Sequence, residues 1–82
     1  MRHIIADFSR LEEREGLGLS IILGSESTRP ELQELQENED VLLLEPENIE
    51  AVGIVRSQEH SNQRYWFGIV TGPIEDAPAL SA

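Results

Sequence analysis

Apolar and polar positions alternate with a period of two along most of this 82-residue chain, a pattern that predicts strands rather than long helices. Between Arg2 and Phe8, the residues Ile4, Ala6 and Phe8 share one face. From Leu17 to Gly24, Leu17, Leu19, Ile21 and Leu23 oppose Gly18, Ser20, Ile22 and Gly24. The small residues on the second face predict a bend or the close approach of another backbone. Val41-Leu42-Leu43-Leu44 is an unbroken apolar run, as expected of a strand buried on both faces. Ile49 to Arg56 divides into Ile49, Ala51, Gly53 and Val55 on one side and Glu50, Val52, Ile54 and Arg56 on the other. Arg64 to Thr71 sets Tyr65, Phe67 and Ile69 against Trp66 and Val70. The last two segments read as a β-hairpin with a long polar tip over Gln58 to Gln63, and Gly53 and Gly68 read as bulges or bends.

Two helical signals interrupt the strands. Ser9 stands three residues before Glu12, the spacing of a capping box, and predicts a helical turn within Arg10 to Glu15 that Gly16 stops. Thr28 and Glu31 repeat the spacing around Pro30, predicting a short helix from about Arg29 to Glu37 with Leu32 and Leu35 as its apolar contacts. The fold class is therefore mainly β, with five strands and two short helices in a small bent antiparallel sheet. An SH3-like or OB-like barrel is the leading architecture, and an open α+β sheet is the alternative. Residues 1–76 read as a single domain, with 77–82 a frayed, Ala/Pro-rich tail.

Charge narrows the range of partners. Six arginines and no lysine face sixteen carboxylates, for a net charge of −10. Such a field repels phosphate backbones and anionic membranes, so neither direct nucleic-acid binding nor membrane contact is expected, whereas a basic protein partner is favoured. No apolar run approaches the roughly 20 residues of a membrane-spanning helix, and the expected location is cytoplasmic. The chain has no cysteine, which excludes disulfides and thiolate chemistry. A core this small gains from self-association, so a homodimer is a further expectation.

Candidate chemistry is sparse. The carboxylates cluster at Glu12/Glu13/Glu15, Glu37/Glu39/Asp40, Glu45/Glu47/Glu50 and Glu75/Asp76, and no sequence feature sets one of them in the apolar pocket that would raise its pKa. His3 and His60 lack metal-ligand spacing, and no EF-hand loop, phosphate-binding loop or nucleophile elbow occurs. The expectation is a protein that is not an enzyme, holds no cofactor or metal, and works as a protein–protein interaction module. Its candidate contact residues are Trp66, which either anchors a partner or closes the far end of the barrel, Arg64 nearby, and Glu45, Glu47 and Glu50 for a basic partner. Two alternatives differ in geometry. An acidic inhibitor, antitoxin or nucleic-acid mimic that blocks a basic surface requires carboxylates gathered on one face. A structural subunit would use Val41–Leu44 or an edge strand to complete another chain's sheet.

Overall fold

Residues 1–77, those described by this computed structural model, contain seven strands in one sheet. These are β1 (Arg2–Ile5), β2 (Glu12–Arg14), β3 (Gly18–Ser25), β4 (Asp40–Glu45), β5 (Ile49–His60), β6 (Gln63–Val70) and β7 (Glu75–Asp76). Their spatial order is β1-β4-β5-β6-β3-β2, with β7 joining β5 beyond the end of β6. The β1–β4 pair is parallel and the remaining pairs are antiparallel. All five expected strands are present, and the mainly β class holds.

The expected barrel is not closed. Strands β1 and β2 end the order on opposite sides and share no ladder, and β2 covers only Gly18–Ser20 of β3, leaving the C-terminal half of β3 to face β1. The gap is bridged instead by a side chain. Arg29 Nη1 donates to the carbonyl oxygens of Ile5 (3.2 Å) and Leu23 (3.0 Å), tying β1 to β3. A charged donor satisfies two carbonyls that a neighbouring strand would otherwise take.

The helix expected over Arg10–Glu15 is absent, a 3-10 turn at Phe8–Arg10 preceding a strand there, and the one expected over Arg29–Glu37 is reduced to a 3-10 segment, Pro30–Glu34. At the first, Asp7 rather than Ser9 caps, its carboxylate accepting from the Ser9 N–H at 3.0 Å. Glu12–Arg14 then pairs with Gly18–Ser20 as a hairpin in place of a helix. At the second, Thr28 is unavailable as a cap because its hydroxyl is engaged with Ser25 at 3.0 Å. Leu32 and Leu35 are buried, as their spacing implies.

The β5–β6 hairpin lacks the expected long tip. Its register runs unbroken to His60 opposite Gln63, and Ser61 and Asn62 alone make the turn with φ of 53° and 65°. Two successive positive φ values are the signature of a type I′ turn, whose twist matches the strands it joins. Nor are Gly53 and Gly68 bulges, since the register passes straight through them. A Cβ on Gly68 would lie 2.5 Å from Leu43 Cδ2, and one on Gly53 would run into the Ile69 carbonyl oxygen. They let β4 and β6 pack closely over a bent sheet. The bulge lies in β3, where pairing slips between Ile22 and Gly24.

Ile4, Ile21, Val41, Leu43, Ala51, Val55 and Trp66 fill the concave face, joined by Ala6, Phe8, Leu23, Leu32 and Leu35. The expected inward face of β3 is only partly realised. Leu19 is exposed, whereas Ser20 is fully buried beneath Arg14, which bonds both its carbonyl and its hydroxyl. Ala77 N–H donates to Asn48 O at 3.0 Å, and the rest of the expected tail, 78–82, lies outside the described residues.

Candidate functional site

The sheet's second face is apolar as well. Register places Ile5 beside Leu44, Leu42 beside Val52, Ile54 beside Ile69, and Phe67 beside Ile22. Together they form a continuous apolar surface across β1, β4, β5, β6 and β3 on the convex side. Ile5 is 53% and Val52 42% exposed, while Leu42, Leu44, Ile54, Ile69 and Ile22 are half-buried. Only Phe67 is well covered, and Arg14 covers it, with the guanidinium carbon 5.4 Å from the ring centre. An antiparallel sheet with one wet face normally alternates apolar-in with polar-out, so a second apolar face is the exception.

Across β1, β4, β5 and β6 charges lie at the margins of this surface, and Arg14 over Phe67 separates that part from Ile22 on β3. Among strand residues, the carboxylates whose register puts them on the convex side are Glu12, Asp40, Glu50 and Glu75, all at its margins. Arg56 borders it six residues along β5 from Glu50, across from Phe67. Its Nε lies 3.7 Å from Glu37, and the side chain stays 46% exposed.

The other candidates fall in separate places. Trp66 is 1% exposed and turned into the core, where its Nε1 donates to Glu26 Oε2 at 2.7 Å. It is therefore not an exposed anchor, because in β6 the concave side is the packed one. Tyr65 and Phe67 do point the opposite way, as alternation requires. Arg64 stands near the hairpin tip, opposite Glu59 and 3.5 Å from its carboxylate. Glu45, Glu47 and Glu50 sit at the other end of β5, about 30 Å away at strand rise. Glu45 has a structural task, accepting from Phe8 N–H at 3.0 Å and from the Asn48 side-chain amide. Glu47 is exposed in the β4–β5 turn with φ of 62°. Arg64 and the three glutamates are thus not one site.

The carboxylates fall in several groups, one of them at the start of β5. Among the described residues each arginine has a carboxylate within 4 Å, whereas Glu13, Glu15, Glu26, Asp40, Glu45, Glu47, Glu50, Glu75 and Asp76 have no arginine partner, the last five of these at one end of β5. Four carboxylates sit below the ordinary range. The Arg2 side chain holds Glu39 down, and the Ser9 hydroxyl and N–H do the same for Asp7. Its own backbone N–H and then Arg29 lower Glu31. For Glu37, desolvation pushes upward but is outweighed by the Ser57 hydroxyl and N–H together with Arg56 and Arg64. All four are structural tethers at strand ends and turns.

An open groove of about 950 Å³ marks the seam between β1 and β3, walled by Ile5, Ala6, Leu23 and Tyr65 with Arg10 and Arg29 at its rim. Among the described residues, no group of three or more His, Asp or Glu side chains is placed to hold a metal ion, and no helix is long and apolar enough to cross a membrane.

The convex surface was legible in part. The run Val41–Leu44 signals two apolar faces, and Val52 and Ile54 stand in the row opposite the core-facing residues of β5. Single-strand patterns do not reveal that these rows meet across five strands. Comparison with protein-family models, with curated proteins and with solved structures finds no match for this chain.

Proposed function

We propose that this chain is a non-enzymatic protein–protein interaction module and that its contact surface is the convex face of the sheet. One observation carries the reading: Ile5, Leu42, Leu44, Val52, Ile54 and Ile69 form a continuous, partly exposed apolar surface with charges only at its edge. Apolar surface of this extent gains free energy when another protein covers it, at about 25 cal/mol per Å² removed from water. The test is affinity capture with the intact chain and with Val52→Asp as baits, washed at low and high salt. Val52 is already half in solvent, so the substitution leaves the core untouched. A partner held at both salt concentrations by the parent chain and lost from the variant supports the reading; capture unchanged by Val52→Asp refutes it.

A second reading, an acidic inhibitor or mimic directed at a basic surface, draws on Glu47, Glu50, Glu75 and Asp76, which lack arginine partners at one end of β5. It predicts a partner released by high salt and by Glu47→Gln/Glu50→Gln, and indifferent to Val52→Asp.

A further inference from the structure

We infer that the partner of the convex face is a second copy of this chain, packed face to face about a two-fold axis that crosses β5 at Gly53. This inference rests on the contact surface proposed above and names its occupant. The outward row of β5 reads Glu50, Val52, Ile54, Arg56, with a negative charge at one end, a positive charge at the other and two aliphatic residues between. A two-fold axis perpendicular to the strands turns that row end for end. Val52 of one copy then meets Ile54 of the other, and each Glu50 meets the second copy's Arg56. The row is complementary to itself, as an isologous interface demands. An axis parallel to β5 would instead set Glu50 against Glu50 and Arg56 against Arg56, so charge selects the first arrangement.

The surroundings of the row agree. Glu50 lies opposite Glu75 in the β5–β7 ladder, two like charges side by side with no arginine of their own chain within 4 Å. Such a pair is destabilising until a cation reaches it. Arg56 is half exposed and is approached by Glu37 through Nε, leaving its terminal amino groups to reach across. Stacked sheets cross at about 30°, which displaces residues about 10 Å from the axis by about 5 Å, within the span of an arginine side chain. The axis keeps β4 over β4 and β6 over β6, so Ile69 adds apolar surface beside the row while Leu42 comes against the second copy's Asp40 at its margin. Most of the remaining carboxylates lie away from the contact, on loops and strand ends.

The experiment is sedimentation equilibrium of the full chain from micromolar to millimolar concentration in 0.3 M NaCl, where repulsion between two net-negative copies is screened to short range. The expected result is a monomer–dimer equilibrium, with Val52→Asp raising the dissociation constant by about tenfold or more. Glu50→Arg and Arg56→Glu should each weaken the dimer by about tenfold, and the double variant should restore it to within about threefold, because the reversed pair is again complementary. Circular dichroism confirms that each variant is folded. A chain that stays monomeric at millimolar concentration, or a dimer indifferent to Val52→Asp or not restored by the double exchange, overturns the inference. If the chain is monomeric but Val52→Asp still abolishes capture of another protein, only the identity of the occupant is lost. If neither assay responds to Val52→Asp, the contact surface falls with it.

Discussion

Gly53 and Gly68 determine how closely β4 and β6 can pack over the bend, and they do so by having no side chain. At Gly68 an added methyl would press on Leu43, which is fully buried and has nowhere to turn. Gly68→Ala is expected to destabilise the fold by about 1–3 kcal/mol, more than offsetting the roughly 0.4–1 kcal/mol that a less flexible unfolded chain would return. Gly53→Ala should cost more, because its methyl meets the Ile69 carbonyl, which cannot move without loosening the β5–β6 ladder. Urea titration followed by the fluorescence of Trp66 measures both; a neutral Gly53→Ala would show that the sheet flattens at little cost. The sequence marked these two positions as special but not why, since a glycine inside a strand signals a bulge and a close approach equally. Trp66 posed a similar ambiguity. With Tyr65 and Phe67 on its other side, both faces of β6 carry aromatics, and only the position of β4 and the 3-10 turns decides which face is the core.

At the scale of whole elements, strand periodicity was legible and the connections were not. The alternation in β5 and β6 and the double apolar face of β4 are local patterns, and the fold follows them. The 3-10 turns and the open seam depend on contacts between residues far apart in sequence. Arg29 reaches Ile5 across 24 residues, and no local motif announces an arginine that substitutes for a strand. The hairpin tip was missed because Ser61-Asn62 lacks the Asn-Gly or Asp-Gly pair by which a type I′ turn is usually read. The same mismatch makes a prediction. Both turn residues hold positive φ, a region that Asn tolerates better than Ser and Gly better than either. Ser61→Asn with Asn62→Gly should therefore raise stability by about 0.5–1 kcal/mol, read as a higher urea midpoint with an unchanged slope. A lower midpoint would mean that the arm is held at its tip by contacts other than turn geometry.

For the molecule as a whole, two electrostatic effects oppose each other as pH falls. The net charge of −10 strains the folded chain at neutral pH, and that strain eases as the solution approaches the isoelectric point near 4.4. Against this, Asp7, Glu31, Glu37 and Glu39 have folded pKa values below their ordinary ones, because Ser9, Glu31's own backbone N–H with Arg29, Ser57 and Arg2 hold their charged forms. A depressed carboxylate contributes stability that is present above its unfolded pKa. That contribution is lost as pH drops through the folded value, since the unfolded chain binds the proton first. The window for this loss thus begins near pH 4 and extends below it, under the range in which repulsion is relieved. The urea midpoint should stay level or rise from pH 7 to about pH 5 and fall steeply only below about pH 4. Because Asp7, Glu31 and Glu37 are about half exposed or more and Glu39 shares the effect with them, each contributes little alone, and Glu39→Gln should reduce the acid limb only partly. A midpoint that already falls between pH 7 and pH 5 would contradict this account, since the four tethers keep their charge throughout that range.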